Sequence, residues 1–500
     1  GQEPYPSLAR VGITKLQFSG GAVYTGKVIN GKFSGLGSMA YVNGDTYQGS
    51  WESGRRHGHG IFRSNCGKKY IGMWEGGLRH GKGSLVHPNG ECYEGEWHCG
   101  KMSGYGTLRS SNGDVYEGQW LNNKYHGVGS FRKTSGHTFL GLCSSGKAHG
   151  YGILYYATGE VYRGNWVDNR REGSGVVVYP NGLKYVGYWK YGKFNGKGKL
   201  TQGDGETYIG DWFMGKREGY GKATFGNGDT IVGYWQQDKV VGHGIMYYAN
   251  SGNVYDGLWE MGLRNGIGTL SLSNGGKFRG NFRDGKIHGR GVFLYGNGDT
   301  YKGAFVNGLK NGKGKFMWKN GNVYTGMFSN DKIEGFGTMM YAAGHSYKGH
   351  WSGGRRQGKG IFCYKNGNVY DGLWHFDQRH GVGKFVWNKL SNNSMEFYKG
   401  NWVEDKREGS GFYQYSDGST YEGEWVNGVR EGFGLFQYTD GSFYEGNFRN
   451  DKRWGHGTFH SAAGVKYSGQ WVRGAIHGVG LLSNCKGDTY EGEFKDGKKH

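Results

Sequence analysis

Tyr47-Gln48-Gly49-Ser50-Trp51 is the stretch of sequence that decides the fold, and Gly54 and the pair Gly58 and Gly60 follow it. The aromatic, glycine and aromatic residues stand two apart, so they lie on one face of a β-strand, where side chains alternate. The glycine leaves space between the rings, in which a neighbour's side chain can pack. Gly54 predicts a turn, and the two later glycines begin a return strand. One copy of the stretch therefore predicts one β-hairpin.

The stretch repeats along the chain. From Tyr24 its first aromatic position recurs every 23 residues, with one extra residue before Tyr255 and five before Tyr398, which makes 21 copies. A fixed period indicates an array of repeats, and no helical period is present. We therefore predict an all-β fold, an elongated and twisted antiparallel meander of tandem β-hairpins. The expected repeat core comprises Tyr47, Gly49, Trp51, Gly54, Gly58, Gly60, Tyr70, Trp74, Tyr93 and Trp97.

Short connectors of the form Asn-Gly-Asp stand between successive copies, as at Asn43-Gly44-Asp45 and Asn112-Gly113-Asp114. Asn-Gly favours the two-residue type I′ turn of a β-hairpin. We therefore predict type I′ turns at the connectors, so that both ends of every strand finish in a tight turn.

The pattern Tyr-x-Gly-x-Trp-x-x-Gly-x-x-x-Gly-x-Gly, from about Tyr24 to His500, resembles the MORN repeat (membrane occupation and recognition nexus). Departures are mild: Cys143 takes a tryptophan position, and Asn123, Asn169 or Asp238 replaces the turn glycine. The resemblance implies the same meander of hairpins. We expect a cap half-repeat over 1–20, repeats 1–16 over 21–384, an insertion loop over 385–397, and repeats 17–21 over 398–500 with the last one truncated.

Composition narrows the partners and the compartment. Lys and Arg number 62 against 41 Asp and Glu, a net charge of +21, which favours acidic partners. The six cysteines are scattered without a CxxC pair, which is typical of a reducing, cytoplasmic setting. No signal peptide and no apolar run of transmembrane length is present, so membrane contact would be peripheral.

Basic residues gather in the turn inside each hairpin, and acidic residues such as Asp45 and Asp114 gather at the connectors. In a meander these turns share one edge, so we predict a basic binding edge, with ordinary solvated turns as the alternative. The five-residue excess is either a neutral insertion or a docking loop, formed by Asn388, Leu390, Asn392 and Met395. The candidate basic edge comprises Arg55, Arg56, Arg79, Arg170, Arg171, Lys216, Arg217, Arg355, Arg356, Lys406 and Arg407.

A histidine often precedes the paired glycines, for example His57 and His80, but Glu172 or Asn195 takes its place elsewhere. Such exchange does not preserve metal ligation, so we interpret the position as a structural turn residue that hydrogen-bonds nearby backbone. The Gly-x-Gly pairs lie inside a β-repeat without a helix, so they do not predict a phosphate site. We expect no catalytic residues, no metal site and no cofactor, and the chain is not predicted to be an enzyme.

The leading functional hypothesis is a non-catalytic scaffold for protein assembly. The resemblance implies a place in the cytoskeleton, in a cilium, flagellum or axoneme or at the cell cortex, with protein partners. The terminal units of the meander expose a sheet edge, which favours self-association, so a homodimer is a further expectation. A second hypothesis is a peripheral membrane tether that binds anionic phospholipids through the basic edge. A third is the regulatory MORN region of a larger enzyme. Nucleic acid is not an expected partner.

Overall fold

A computed structural model describes residues 12–388 and 395–500, which form two compact units divided between Asn250 and Ser251. All regular structure over these residues is β-strand, and no helix among them is long and apolar enough to span a membrane.

The strands of the first unit follow the predicted hairpins. They are β1 Thr14–Gln17, β2 Val23–Ile29, β3 Lys32–Ala40, β4 Thr46–Glu52, β5 Arg55–Arg63, β6 Lys69–Glu75, β7 Leu78–Val86, β8 Cys92–His98, β9 Lys101–Arg109, β10 Val115–Leu121, β11 Lys124–Arg132, β12 Thr138–Ser144, β13 Lys147–Tyr155, β14 Val161–Val167, β15 Arg170–Val178, β16 Lys184–Lys190, β17 Lys193–Thr201, β18 Thr207–Phe213, β19 Lys216–Thr224, β20 Thr230–Gln236 and β21 Lys239–Tyr247.

The second unit continues the same alternation of seven-residue and nine-residue strands, except for the two strands beside the five-residue excess and the short last strand. Its strands are β22 Val254–Glu260, β23 Leu263–Ser271, β24 Lys277–Arg283, β25 Lys286–Leu294, β26 Thr300–Val306, β27 Leu309–Met317, β28 Val323–Ser329, β29 Lys332–Met340, β30 Ser346–Ser352, β31 Arg355–Cys363, β32 Val369–His375, β33 Gln378–Trp387, β34 Glu396–Val403, β35 Lys406–Gln414, β36 Thr420–Val426, β37 Val429–Gln437, β38 Phe443–Arg449, β39 Lys452–His460, β40 Lys466–Val472, β41 Ala475–Ser483, β42 Thr489–Lys495 and β43 Lys498–Lys499.

Within each unit every strand pairs antiparallel with the next one along the chain. In the hairpin β4–β5, Gly49 pairs with Gly60 and Trp51 with Arg56, which leaves a bulge around Gly58. Gly58 has a φ of 59°, in the left-handed region that favours glycine. The prediction of an all-β antiparallel meander of tandem hairpins is confirmed.

The type I′ turn lies inside the hairpin, so its predicted place at the connector is wrong. Ser53 and Gly54 both have positive φ, 49° and 82°, in a two-residue loop between β4 and β5. In the described connector between β3 and β4, Gly44 alone has a positive φ. Its backbone N–H donates a hydrogen bond to Tyr41 O at 3.0 Å. That geometry is a type I turn closed by a left-handed glycine. Loop length, rather than the Asn-Gly dipeptide, selects the turn type.

The two irregular parts of the array keep regular pairing. Strand β1, within the expected cap, pairs with β2, and residues 1–11 lie outside the described part of the chain. At the five-residue excess β33 and β34 each reach into the expected loop, where Trp387 pairs with Glu396. The cap and the insertion loop as such remain predictions.

Candidate interaction surfaces

The tyrosine of each repeat lies flat over the paired glycines of its own hairpin. A Cβ on Gly60 would stand 2.3 Å from the Tyr47 hydroxyl oxygen and 2.5 Å from the ring. The Tyr47 hydroxyl donates to Ser50 O at 2.9 Å. The expected use of the glycine space by a neighbour's side chain is thus wrong, because the motif's own tyrosine fills it. Burial raises the pKa of Tyr47 to about 12.

Edge-to-face contacts join the aromatic rings of successive repeats into rows, and in the first unit the row is interrupted where Cys143 takes the tryptophan position. The Tyr47 ring contacts Trp51 of its own repeat at 5.0 Å and Trp74 of the next at 5.4 Å between centroids. The Trp51 indole N–H donates to Gly37 O in the preceding repeat at 3.2 Å. Such ring pairs contribute about 0.5–1.5 kcal/mol each beyond area burial. Of the expected core, Tyr47, Trp51, Tyr70, Trp74, Tyr93 and Trp97 are buried.

Six of the eleven residues predicted for the basic edge belong to this aromatic row. The Arg56 guanidinium lies 4.1 Å from the Trp74 ring centroid, and its Nη2 donates to Gly77 O at 3.0 Å. Burial lowers the pKa of Arg56 from its ordinary value. The same position elsewhere makes the same kind of cation–π contact. These side chains are Arg79, Arg171, Arg217, Arg356 and Arg407.

An aspartate at the second turn position adds a latch between neighbouring repeats. Asp377 Oδ1 accepts hydrogen bonds from the backbone N–H of Arg356 at 2.9 Å and from its Nε at 3.1 Å, and Arg356 Nη2 donates to Asp377 O at 2.7 Å. Arg379 and Asp405 form the same latch across the five-residue excess. An arginine at this position of the repeat therefore bonds the aspartate in the turn of the next repeat, even where the sequence between them is longer.

The first basic residue of each pair is exposed: Arg55, Arg170, Lys216, Arg355 and Lys406. Two of them still bond, since Lys216 Nζ lies 3.6 Å from Asp238 Oδ2 and Lys406 Nζ donates to Asn427 Oδ1 at 3.2 Å. Fewer basic side chains along this edge are therefore available to a partner than the sequence predicts. Arginines that the sequence assigned to it are occupied by packing.

The connector acids and the histidine position also bond between repeats. Asp114 Oδ1 accepts from Thr134 N–H at 2.9 Å, and Asp45 does the same with Asn65. At the histidine position, Glu172 Oε2 accepts from Tyr191 N–H at 2.9 Å, which is the expected backbone bond. His57 differs, because its Nδ1 lies 3.1 Å from the Glu52 carboxylate.

The candidate docking loop is only partly described, and Leu390 and Asn392 lie outside the described residues. Asn388 N–H donates to Asn368 Oδ1 at 2.9 Å and so continues the connector ladder. Met395 is exposed, and its carbonyl accepts from Gln414 at 3.1 Å. The residues at both ends of the loop therefore belong to the regular array.

The sequence reading missed the face of the sheet opposite the aromatic row, which we call the outer face. Residues between the paired glycines point outward here, and many are large and apolar, such as Tyr105 (60% exposed) and Ile267 (63%). Others in this exposed set are Leu36, Val128, Tyr151, Tyr220, Phe336, Val382, Phe433 and Val479. The sequence does indicate these exposed side chains, because the residue x of Gly-x-Gly is apolar in these repeats.

A basic groove lies on the outer face of the second unit. Arg279, Arg290, Lys302, Lys313 and Lys315 line it with Val292, Met327 and Phe336 over a floor of glycine backbone. Lys302 and Lys315 are direct cross-strand partners, an arrangement of like charges that costs stability. None of the described residues that line the groove is acidic.

The fold and these surfaces define a tandem β-hairpin repeat protein with an aromatic core and an exposed face that carries apolar side chains. The MORN repeat family profile matches successive segments over nearly the whole of 24–500, and the chain belongs to this family. The matched segments are 24–46, 47–65, 70–92, 93–115, 116–138, 144–161, 162–184, 185–207, 208–230, 232–252, 255–277, 278–300, 301–323, 324–346, 347–369, 370–390, 398–420, 421–443, 444–466, 467–489 and 490–500.

No curated protein matches the chain. Among solved structures, the G-box domain of the microcephaly protein CPAP aligns with 14% identity over 40% of this chain and 100% of its own, with a TM-score of 0.23. The TCP domain of Drosophila melanogaster SAS-4, in complex with a proline-rich motif of Ana2, has 16% identity over 35% and 86%, with a TM-score of 0.21. Staphylococcus aureus virginiamycin B lyase has 10% identity over 57% and 91%, with a TM-score of 0.11. Likeness this weak carries no argument.

Proposed function

We propose that this protein is a non-catalytic scaffold that assembles other proteins on its outer face, in the cytoskeleton of a cilium, a flagellum or the cell cortex. The observation that carries the proposal is the set of exposed apolar side chains between the paired glycines. Tyr105, Tyr151 and Tyr220 are each more than half exposed on the first unit. Apolar and aromatic side chains collected on one face are typical of protein-binding surfaces.

The internal bonding of the array supports the same function. Arginine latches such as that of Arg356 with Asp377, and connector acids such as Asp114, bond the neighbouring repeat, so the array is held together by its own side chains. MORN repeats are generally non-catalytic modules. The outer face is then the surface left to recognise partners, and a second copy of this chain is one partner that the exposed apolar residues fit.

The test is detergent extraction of cells that express the tagged full-length chain. We expect retention in the detergent-resistant cytoskeleton, and release of a triple variant with Tyr105→Ser, Tyr151→Ser and Tyr220→Ser. A matched control carries Arg55→Ser and Arg170→Ser at exposed turn positions and stays retained. Extraction of the unaltered protein by detergent, or equal retention of the tyrosine variant, would contradict the scaffold.

A second candidate function is a peripheral membrane tether that binds anionic phospholipid through the basic groove. The cross-strand pair Lys302 and Lys315 supports it, because a bound phosphate group would relieve the repulsion between the two ammonium groups. We expect binding to phosphoinositide vesicles that weakens as salt rises. Lys302→Glu with Lys315→Glu should abolish that binding, whereas Arg55→Glu with Arg355→Glu at the turns should leave most of it. If the arginine variant lost binding and the lysine variant kept it, the lipid would bind at the basic turn edge instead of the groove.

A further inference from the structure

The residue before the paired glycines reaches the turn of the following repeat. Where it is an acid, its carboxylate accepts a hydrogen bond from the backbone N–H of the first turn residue there, as Glu218 does from Gln237 at 3.0 Å and Glu408 from Asn427 at 2.8 Å. Its side chain therefore lies against the last strand residue and the first turn residue of the next hairpin. This geometry brings together two adjacent positions of one hairpin and a third position from the preceding repeat.

Between the repeats that begin at Tyr70 and Tyr93, all three positions carry side chains that can bind a metal ion. His80 precedes Gly81 in β7, His98 ends β8, and Cys99 is the first residue of the turn that follows. One ligand atom from each of the three lies within 4.8 Å of the others, and the two imidazole centroids are 5.1 Å apart. Among residues 12–388 and 395–500 this is the one such group of three that includes histidine and cysteine.

A carboxylate orients one of the two imidazoles. Glu75 Oε2 lies 3.0 Å from His80 Nδ1, so that an N–H at Nδ1 donates to the carboxylate and the lone pair stands at Nε2. Metal-binding histidines commonly donate their second ring nitrogen to a carboxylate in this way. His57 makes the same bond to Glu52 at 3.1 Å, but Glu75 and Gly76 occupy the facing positions in the next repeat. The neighbouring step thus supplies a matched comparison without the other two ligands.

We propose that His80, His98 and Cys99 bind one Zn²⁺ ion between two adjacent repeats, with water as the fourth ligand. Two imidazole nitrogens and one thiolate are ligands that Zn²⁺ prefers in a tetrahedral site. Ligand bonds of about 2.0–2.3 Å need donor atoms closer together than the observed limit of 4.8 Å. His98 and Cys99 are exposed, so rotation of their side chains can close the site. Cys99 gives up its thiol proton to solvent when the ion binds. This site adds a metal to an array in which the sequence predicts none.

Co²⁺ titration of the chelator-treated full-length protein is the test, because cobalt reports its ligands by colour. We expect a thiolate-to-cobalt charge-transfer band and the strong visible bands of four-coordinate Co²⁺, both displaced by Zn²⁺. Cys99→Ser should abolish the charge-transfer band. His80→Gln and His98→Gln should each weaken binding at least about tenfold, and Glu75→Gln by about 10-fold.

Two variants are matched controls. Cys66→Ser removes another exposed thiol, and His57→Gln removes the equivalent histidine one repeat earlier, so both should keep the full cobalt spectrum. Far-ultraviolet circular dichroism verifies that each variant is folded, and Zn²⁺ should raise the thermal midpoint of the unaltered protein but not that of Cys99→Ser. Absence of the charge-transfer band, its persistence in Cys99→Ser, or its loss in Cys66→Ser would each overturn the site.

Discussion

Arg356 and Asp377 belong to successive repeats, and three hydrogen bonds of 2.7–3.1 Å join them while the guanidinium lies 4.2 Å from the Trp374 ring centroid. The arginine side chain is only 18% exposed, although its neighbour Arg355 is exposed. Two adjacent basic residues therefore have different roles. One joins repeats and the other faces solvent.

Removal of the latch should destabilise the array locally. Arg356→Ala loses charge-assisted hydrogen bonds and a cation–π contact, a cost of about 2 kcal/mol after allowance for the partly exposed aspartate. We expect faster amide hydrogen exchange in β31 and β32, measured by mass spectrometry. Arg355→Ala should stay within about 0.5 kcal/mol of the unaltered protein. Equal effects of the two substitutions would show that the latch adds nothing.

A methyl group under the tyrosine ring should not be tolerated. Gly60→Ala places a Cβ 2.3 Å from the Tyr47 hydroxyl oxygen, so the ring must move, at a cost of about 1–3 kcal/mol. Gly226→Ala is the matched control, because its nearest neighbour is 3.8 Å away and its φ is not left-handed. Thermal unfolding should show a lower midpoint for Gly60→Ala alone. A silent Gly60→Ala would mean that the ring is free to lift.

Alkaline pH should unfold the repeats through the buried tyrosines. Burial raises the pKa of Tyr47, Tyr70, Tyr301 and Tyr324 to about 12 from the ordinary 10.0. A raised pKa means that the unfolded chain ionises first, so stability is complete below pH 10 and is lost as the pH rises toward 12. Circular dichroism and tyrosinate absorbance should change together in that window. Ionisation of these tyrosines near pH 10 with β-structure intact would contradict the burial.

The cysteines should differ in their rates of alkylation. Burial raises the pKa of the Cys143 thiol to about 11, whereas a hydrogen bond with the Ser64 hydroxyl lowers the pKa of the exposed Cys66. The thiolate is the reactive form, so at neutral pH iodoacetamide should modify Cys66 quickly and Cys143 slowly. Peptide mass mapping over time measures both rates. Denaturant should remove the difference, and rapid labelling of Cys143 in the folded protein would argue against its packed position.

The sequence was sufficient for the strands because their signal is local. The alternation in Tyr47-Gln48-Gly49-Ser50-Trp51 needs no knowledge of the next repeat, and the hairpins appear as predicted. The turn types were not predicted correctly, because the register between β4 and β5 leaves a two-residue loop at Ser53 and Gly54. The turn preference of the Asn-Gly dipeptide does not by itself specify that register.

The surfaces were predicted less well because their contacts are not local. Arg56 meets Trp74 and Gly77, which lie in the following repeat, so its burial follows from inter-repeat packing rather than from its own neighbours in sequence. The outward Tyr105 could have been found from strand alternation. The neighbourhood of His80, His98 and Cys99 required the three-dimensional structure.

The latch across the five-residue excess has an evolutionary consequence. Arg379 bonds Asp405 and Trp402 bonds Gly383 O at 3.2 Å with the geometry of uninterrupted repeats, although the sequence separation is five residues longer than usual. Tandem duplication or deletion of whole repeats within a gene would then keep the equivalent positions of neighbouring repeats in contact. The length of a MORN array can therefore change in steps of one hairpin without a redesigned core.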